Sequence, residues 1–255
     1  MNTPEQKLIV AQQDDVLSLT FNTPGKANAL APDVVEELME VLDNAEGVRL
    51  AVLRGNGKHF CAGFDLSDIE ELSDGDFLWR FVRIEMLLQN VHKSPFPVVA
   101  LAQGQVVGAG ADLFSACRQR VATKDAKFRM PGWNFELALG TRRLSQMIGT
   151  QAARDMLIDT RTVPSKEAQA LGLVAAIADT EDWPATTSRL AARARSLPHY
   201  AMQEMLRLTG CDTDDLDLAA VVRTAGRPGL KDHILTYRRA MEDERTKNHS
   251  PSQMR

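Results

Sequence analysis

Two glycine-containing segments have the residue types and spacing needed to hold a developing negative charge. Residues 60–66 read Phe-Cys-Ala-Gly-Phe-Asp-Leu, and residues 104–113 read Gly-Gln-Val-Val-Gly-Ala-Gly-Ala-Asp-Leu. In each segment a predicted strand passes through glycine into a loop or a helix, which leaves backbone N–H groups unpaired. Such groups suit an anion or an oxyanion formed during a reaction. The alternative interpretation is that these glycines only permit tight turns and close packing.

Motifs for several other chemistries are absent. The sequence contains neither the Gly-x-x-x-x-Gly-Lys-Ser/Thr loop of nucleotide sites nor the Gly-x-Ser-x-Gly elbow of serine hydrolases. Leu113 stands where a dinucleotide-binding segment would need its third glycine. The five histidines show no metal-ligand spacing. The three cysteines lie far apart without a Cys-x-x-Cys pair, which predicts reduced thiols and a cytoplasmic location.

Composition narrows the possible partners. Of 255 residues, 44% are apolar and 25% are charged, which is typical of a globular protein and excludes a disordered or collagen-like chain. The formal net charge of −4 predicts that the protein does not bind nucleic acid. Glycine, glutamine and aspartate interrupt the most apolar stretch, residues 98–116, so we expect no membrane span.

Hydrophobic periodicity predicts the elements that position the two glycine segments. The first ~130 residues alternate strand and helix patterns, which favours parallel strands with helical crossovers. The remainder is mostly helical in pattern, and residues 73–76 and 250–252 are expected to be a mobile loop and a disordered tail. The predicted strands are Leu8–Val10, Val16–Phe21, Leu50–Leu53, His59–Gly63, Val98–Ala102, Gln119–Ala122, Lys127–Phe128 and Leu173–Ala178. The predicted helices begin at Pro32, Phe77, Ala111, Thr141, Gln151, Lys166, Asp182, Pro198, Leu216 and Leu230.

Taken in order along the chain, five segments resemble blocks of the crotonase superfamily, the enoyl-CoA hydratase/isomerase family. Besides the two glycine segments, these are Lys26-Ala27-Asn28-Ala29-Leu30, residues 140–144 and residues 168–174. The resemblance implies an α/β fold with a crotonase-type spiral core of ββα units and a helical C-terminal region. It divides the chain into a core that binds acyl-CoA, residues 1–190, and a helical part for oligomerisation and active-site cover, residues 191–255.

The resemblance also implies a mechanism and a substrate. The family's acyl-CoA thioester carbonyl accepts two backbone N–H bonds that hold an enolate, and these positions correspond to Ala62 and Ala109. No cofactor is implied, because coenzyme A is part of the substrate, and the expected assembly is a homotrimer or a dimer of trimers. The implied substrate-binding residues are Lys26, Ala27, Ala29, Phe64, Asp65, Leu66, Gly108 and Trp133. For Lys26 a solvated side chain is the alternative to a CoA phosphate contact, and for Asp65 a turn or N-cap role.

The acid and base are where this sequence departs from the family's hydratases, which carry two glutamates. The first corresponds to Asp112, one methylene shorter, and the second to Gly132, which has no carboxylate. Glu136 is a candidate substitute, and the alternative is that it is exposed or pairs with Arg142 or Arg143.

Several functions therefore stay open. The most direct expectation is an enoyl-CoA hydratase or isomerase, and a single base favours isomerisation over hydration. A decarboxylase, a thioester hydrolase, a C–C lyase and a non-catalytic acyl-CoA binder with a degenerate site are the alternatives. Five aromatic residues are candidates for an acyl pocket or for plain core, namely Trp79, Phe81, Phe114, Trp133 and Phe135.

Overall fold

A computed structural model describes residues 6–249, and its strands form two sheets. The strands are β1 (Leu8–Gln13), β2 (Val16–Phe21), β3 (Leu50–Gly55), β4 (Val98–Ala102), β5 (Gln105–Val107), β6 (Gln119–Ala122), β7 (Lys127–Arg129), β8 (Val163–Pro164) and β9 (Ala176–Ile177). The larger sheet has the order β1-β2-β3-β4-β6-β9, and the smaller has the order β5-β7-β8. The α/β class expected from the sequence is confirmed.

Pairing directions match the alternating pattern of the first half of the chain. The β1–β2 pair is an antiparallel hairpin, and every other pair of the larger sheet is parallel. In the smaller sheet β5 and β7 are parallel, whereas β7 and β8 are antiparallel. β4 is buried throughout because helices cover both faces of the sheet around it, as its unbroken Val-Val-Ala-Leu-Ala run predicts.

Helices cover the sheets and make up most of the C-terminal half. They are α1 (Pro32–Asp43), α2 (Asp74–Lys93), α3 (Ala109–Ala116), α4 (Thr141–Ile148), α5 (Thr150–Asp159), α6 (Ser165–Ala170), α7 (Trp183–Arg195), α8 (His199–Thr209), α9 (Asp214–Ala225) and α10 (Leu230–His249). In the described part of the chain, none is long and apolar enough to cross a membrane.

The expectation of a mobile loop at residues 73–76 is wrong. Ser73 is the N-cap of α2: its hydroxyl accepts the Asp76 N–H at 3.2 Å, and Asp76 in turn accepts the Ser73 N–H at 2.8 Å. This reciprocal capping box satisfies two N–H groups and starts the helix before its first apolar residue. The predicted tail at residues 250–252 lies outside the described residues.

Most other differences from the sequence prediction concern very short strands. Residues 59–63 form no strand; Cys61 makes only an isolated bridge to Val106. Strands β5 and β8 have three and two residues, too few for an alternating pattern to identify them. The Cys61–Val106 bridge nevertheless aligns the first glycine segment with β5, which leads into the second segment.

Candidate active site

A cavity of about 310 Å³ opens where the two glycine segments meet. Its walls come from the loop after Cys61, the first turn of α3, the segment between β7 and α4, and α10. Of the expected site residues, seven line it: Ala62, Phe64, Leu66, Gly108, Ala109, Asp112 and Trp133. The structure therefore brings these seven residues together around one cavity, and their contacts indicate the part that each can play.

Among the described residues, two backbone N–H groups beside the cavity have no hydrogen-bond acceptor. Leu30 pairs with the residues on either side of Phe64: its N–H donates to Gly63 O at 2.7 Å, and its carbonyl accepts from Asp65 N at 3.4 Å. The Phe64 N–H therefore points away from Leu30, and it has no acceptor among the described residues. The Ala109 N–H is the first of α3 and has no acceptor within the helix.

These two amides lie close to each other. At Gly63, with φ +92°, an added Cβ would fall 3.1 Å from the Ala109 nitrogen, so the chain just before Phe64 touches the start of α3. The Phe64 ring is held by Phe77 and Phe81, with ring centroids 5.7 and 4.7 Å away. A pair of fixed, unpartnered N–H groups at a cavity wall is the arrangement that an oxyanion requires.

Ala62, expected from the sequence as an oxyanion donor, does not offer its N–H to the cavity. That N–H donates to Ala27 O at 2.9 Å, so its proton is already used within the protein. Ala27 has φ +49° in a tight loop that Asn28 fixes by donating to His59 O at 2.7 Å. The early loop therefore supports the glycine segment from behind, and neither Ala27 nor Ala29 lines the cavity.

Lys26 and Asp65 also lie outside the cavity lining. Their side chains form an ion pair with 3.4 Å between Lys26 Nζ and Asp65 Oδ2. Asp65 Oδ1 accepts the Ser67 N–H at 3.0 Å and the Ser67 hydroxyl as well. This is a turn role for Asp65, the alternative that the sequence left open.

Asp112 is the carboxylate at the centre of the site. It lies in the first turn of α3, is 4% exposed, and makes no side-chain hydrogen bond within the described residues. Its Oδ1 is completely enclosed. Since the residue lines the cavity, Oδ2 is the oxygen left to face it. Burial raises the pKa of Asp112 well above 3.8, and the positive charge of Arg143 opposes this effect.

A buried ion pair lies behind Asp112. Glu85 of α2 is 0% exposed, and its Oε1 lies 3.2 Å from Arg143 Nη2 and accepts from Gln89 at 3.1 Å. Burial raises the pKa of Glu85 as well. The burial of Glu85 could have been predicted from the sequence. Glu85 follows Phe77 by eight residues and Phe81 by four, which places it on the apolar face of α2.

Glu136, expected as a substitute acid, points away from the cavity. Its Oε2 lies 2.7 Å from Arg227 Nη1, and the side chain is 46% exposed. Glu136 ends a short 3₁₀ helix with φ +63°, and its two neighbours, Phe135 and Leu137, line the cavity in its place. Glu136 does form an ion pair, as the alternative interpretation proposed, but its partner is Arg227 and neither Arg142 nor Arg143.

Comparisons with known proteins show the family of this chain. A family model described as enoyl-CoA hydratase/isomerase matches residues 11–213. The chain belongs to the enoyl-CoA hydratase/isomerase family. It is 34% identical over 190 residues to the "Probable enoyl-CoA hydratase echA6" of Mycobacterium bovis, covering 71% of this chain and 76% of that protein.

Solved structures extend the likeness over nearly the whole chain. A "putative enoyl-CoA hydratase/isomerase" from Bordetella parapertussis is 42% identical, with a TM-score of 0.89 over 91% of this chain and 98% of that one. The enoyl-CoA hydratase/isomerase from Xanthobacter autotrophicus has a TM-score of 0.81 over 93% and 94% at 22% identity, which shows the shared fold alone. The crotonase-type core is thereby confirmed.

Within this enoyl-CoA hydratase/isomerase fold, the cavity has an apolar wall suited to an acyl chain. Among the five aromatic candidates, Phe81, Trp133 and Phe135 line it. Trp79 is 61% exposed, and Phe114 is fully buried in the core against Phe60 and Phe128. One wall comes from α10, which lies in the part of the chain, residues 191–255, from which the resemblance implies active-site cover. The sequence did not identify its cavity-lining residues, which are Ile234, Tyr237, Arg238, Met241 and Glu242.

Proposed function

We propose that this protein moves a proton along the acyl group of an enoyl-CoA, with Asp112 as the single acid and base. One observation carries the proposal: Asp112 faces the cavity beside the free N–H groups of Phe64 and Ala109. The only other carboxylate among the described lining residues, Glu242, is ion-paired with Arg238 at 2.9 Å. The position corresponding to the second family glutamate is Gly132, which lines the cavity without a side chain.

In the proposed reaction the thioester oxygen accepts hydrogen bonds from Phe64 N–H and Ala109 N–H. Ionised Asp112 removes a proton from C2 of a 3-enoyl-CoA, and the electron pair delocalises onto that oxygen as an enolate. Asp112 then returns the proton to C4, the double bond shifts to C2–C3, and the carboxylate is regenerated. Each N–H donor contributes roughly 3–4 kcal/mol to transition-state stabilisation. The raised pKa of Asp112 makes its ionised form a stronger base.

The remaining parts of the proposal follow from family membership. The substrate is an acyl-CoA, its coenzyme A is the only nucleotide involved, and no further cofactor takes part. The assembly is a homotrimer or a dimer of trimers, and the location is cytoplasmic. Residues 1–190 form the core that binds acyl-CoA, and residues 191–255 form the part for oligomerisation and active-site cover. Gel filtration with light scattering tests the assembly.

The experiment that tests the reaction uses a panel of 2-enoyl, 3-enoyl, 3-hydroxyacyl and malonyl-type CoA esters, followed by mass spectrometry and proton NMR. We expect 3-enoyl-CoA to become 2-enoyl-CoA without a change of mass. Loss of CO₂ or release of free CoA would replace isomerisation by another reaction of the family. Tight binding without turnover on the whole panel would favour the non-catalytic binder.

Hydration is the second candidate, because Glu242 brings a second carboxylate to the cavity wall. It requires that Glu242 leave Arg238 and position a water molecule. Gain of one water by 2-enoyl-CoA, lost in a Glu242→Gln variant and kept in the neighbouring Asp243→Asn variant, would establish hydration in place of isomerisation.

A further inference from the structure

A second cavity, of about 360 Å³, lies at the opposite end of the larger sheet. It opens at the amino-terminal ends of three parallel strands, where Leu50, Val99 and Gln119 line it, and α7 and α8 close its sides. It shares no lining residue with the cavity around Asp112. It is therefore a separate space from the proposed active site, and Arg143 is the lining residue whose charge also acts on Asp112.

Every charged residue in the described lining of this second cavity is an arginine. The four arginines are Arg118, Arg120, Arg143 and Arg193, and none of the described lining residues is Asp or Glu. His92 also lines the cavity, but burial lowers its pKa to about 4, so it is neutral near pH 7. Within the described part of the chain, Arg143 is the only one of these with carboxylates at ion-pair distance, Glu85 at 3.2 Å and Asp217 at 4.0 Å. Three arginines are thus left without a counter-charge from the protein.

The partners of Arg118 and Arg120 are backbone carbonyls. Arg118 Nη2 donates to Leu206 O at 3.1 Å, while its Nε is enclosed without an acceptor. Arg120 donates from Nε to Leu173 O and from Nη1 to Cys117 O, both at 2.8 Å. Carbonyl dipoles satisfy hydrogen bonds but leave the net charge in place, and burial lowers the pKa of both arginines.

The rest of the lining is largely apolar. Leu190 and Arg193 lie one turn apart on α7, and Met202, Met205 and Leu206 of α8 stand opposite. Arg193 is exposed and makes no side-chain hydrogen bond or ion pair within the described residues. The cavity therefore combines a cationic part with an aliphatic wall, and its volume is within the range of small-molecule sites, about 300–1,000 Å³.

We propose that this cavity binds a small organic carboxylate with an aliphatic chain. The carboxylate would lie between Arg118, Arg120 and Arg193, where it supplies the missing counter-charge and accepts their free N–H groups. The chain would pack on Leu190 and Met205. An alcohol of the same length offers the same apolar surface without the charge, which makes the two directly comparable.

The test is calorimetric titration of the full-length protein with sodium octanoate, with octanol and with sodium sulfate at equal ionic strength. We expect octanoate to bind at least tenfold more tightly than octanol. Arg193→Gln should weaken octanoate binding about tenfold, the effect of losing one charged hydrogen bond. The control is Arg189→Gln, because Arg189 is exposed on the same helix and does not line the cavity.

Arg120→Met is a second variant, and circular dichroism checks its fold because Arg120 also bonds two carbonyls. Octanoate bound in the acyl cavity instead would keep its affinity in both arginine variants, and this outcome would overturn the proposal. Equal affinity for octanoate and octanol would overturn it as well. So would binding of sulfate as tight as octanoate, since the aliphatic wall would then contribute nothing.

Discussion

The Asp112 carboxylate lies directly against the α-carbon of Gly140: a methyl group built on that glycine would fall 2.0 Å from Asp112 Oδ1. Gly140 has φ +62° and is the N-cap of α4, so the positive end of that helix meets the carboxylate. Two separate reasons thus require glycine at position 140: its backbone conformation is left-handed, and Asp112 occupies the space that a side chain would need.

Replacing Gly140 by alanine should displace Asp112 and reduce turnover about 100-fold, since a shift of ~1 Å at a reacting group costs that much. The matched control is Gly149→Ala. Gly149 also has positive φ, +84°, but an added Cβ there meets nothing within 4 Å. Both variants bear the backbone strain, so only Gly140→Ala should lose activity in the acyl-CoA assay. Equal kcat in the two variants would show that the Asp112–Gly140 contact does not position the base.

Asp112→Asn should abolish isomerisation and leave acyl-CoA binding near that of the wild type. Its pH dependence has a definite sign. Because burial raises the pKa of Asp112, the active ionised form appears only as pH rises through that raised value. Wild-type turnover should therefore increase with pH over this range, on a profile displaced upward from 3.8.

The same raised pKa predicts how stability changes. The folded protein holds the Asp112 proton more tightly than the unfolded chain, so ionisation destabilises the wild type as pH rises. Asp112→Asn should unfold at higher denaturant concentration than the wild type at pH 8, and the difference should shrink as pH falls toward 3.8. A constant difference across pH would contradict burial as the cause of the shift.

The sequence predicted residues that the structure brings together around one cavity, but it did not predict which N–H groups are free there, and the physical reason lies in the loops. The segment after Cys61 could be recognised from its residues, yet which N–H remains free depends on contacts with Ala27 and Leu30, more than thirty residues earlier. Similarly, the left-handed conformation of Glu136 turns its carboxylate toward Arg227. Helices with strong periodicity were predictable, and α4 has the bounds that its pattern predicts.

Ala109→Pro tests the oxyanion site by removing one N–H with little structural cost. Ala109 is the first residue of α3, where proline is tolerated because its N–H would be unpaired anyway. We expect kcat to fall about 10²–10³-fold, the usual loss for one oxyanion donor. Thr150→Pro, at the first position of α5, is the control and should keep full activity. Unchanged activity in folded Ala109→Pro protein would exclude Ala109 as a donor.

Glu136→Gln distinguishes the two carboxylates proposed from the sequence. Because Glu136 pairs with Arg227 outside the cavity, we expect turnover within about twofold of the wild type, since an exposed ion pair contributes only ~0–1 kcal/mol. Unfolding midpoints should also change little. A loss of turnover comparable to that of Asp112→Asn would show that Glu136 takes part in catalysis.

Glu85→Gln tests the buried pair behind Asp112 through two separate measurements. Removing the Glu85 carboxylate leaves the buried Arg143 with only the more distant Asp217, 4.0 Å away, and should lower the free energy of unfolding by about 3 kcal/mol, the lower end of the cost of breaking a buried pair. Because the charge of Glu85 raises the pKa of Asp112, its removal should also move the pH profile of turnover to lower pH.

The double variant Glu85→Gln/Arg143→Met removes both charges, which should recover part of the stability. It should also leave a smaller displacement of the profile, because the two charges act on Asp112 with opposite sign. A stability loss without any displacement would make Glu85 a structural residue only.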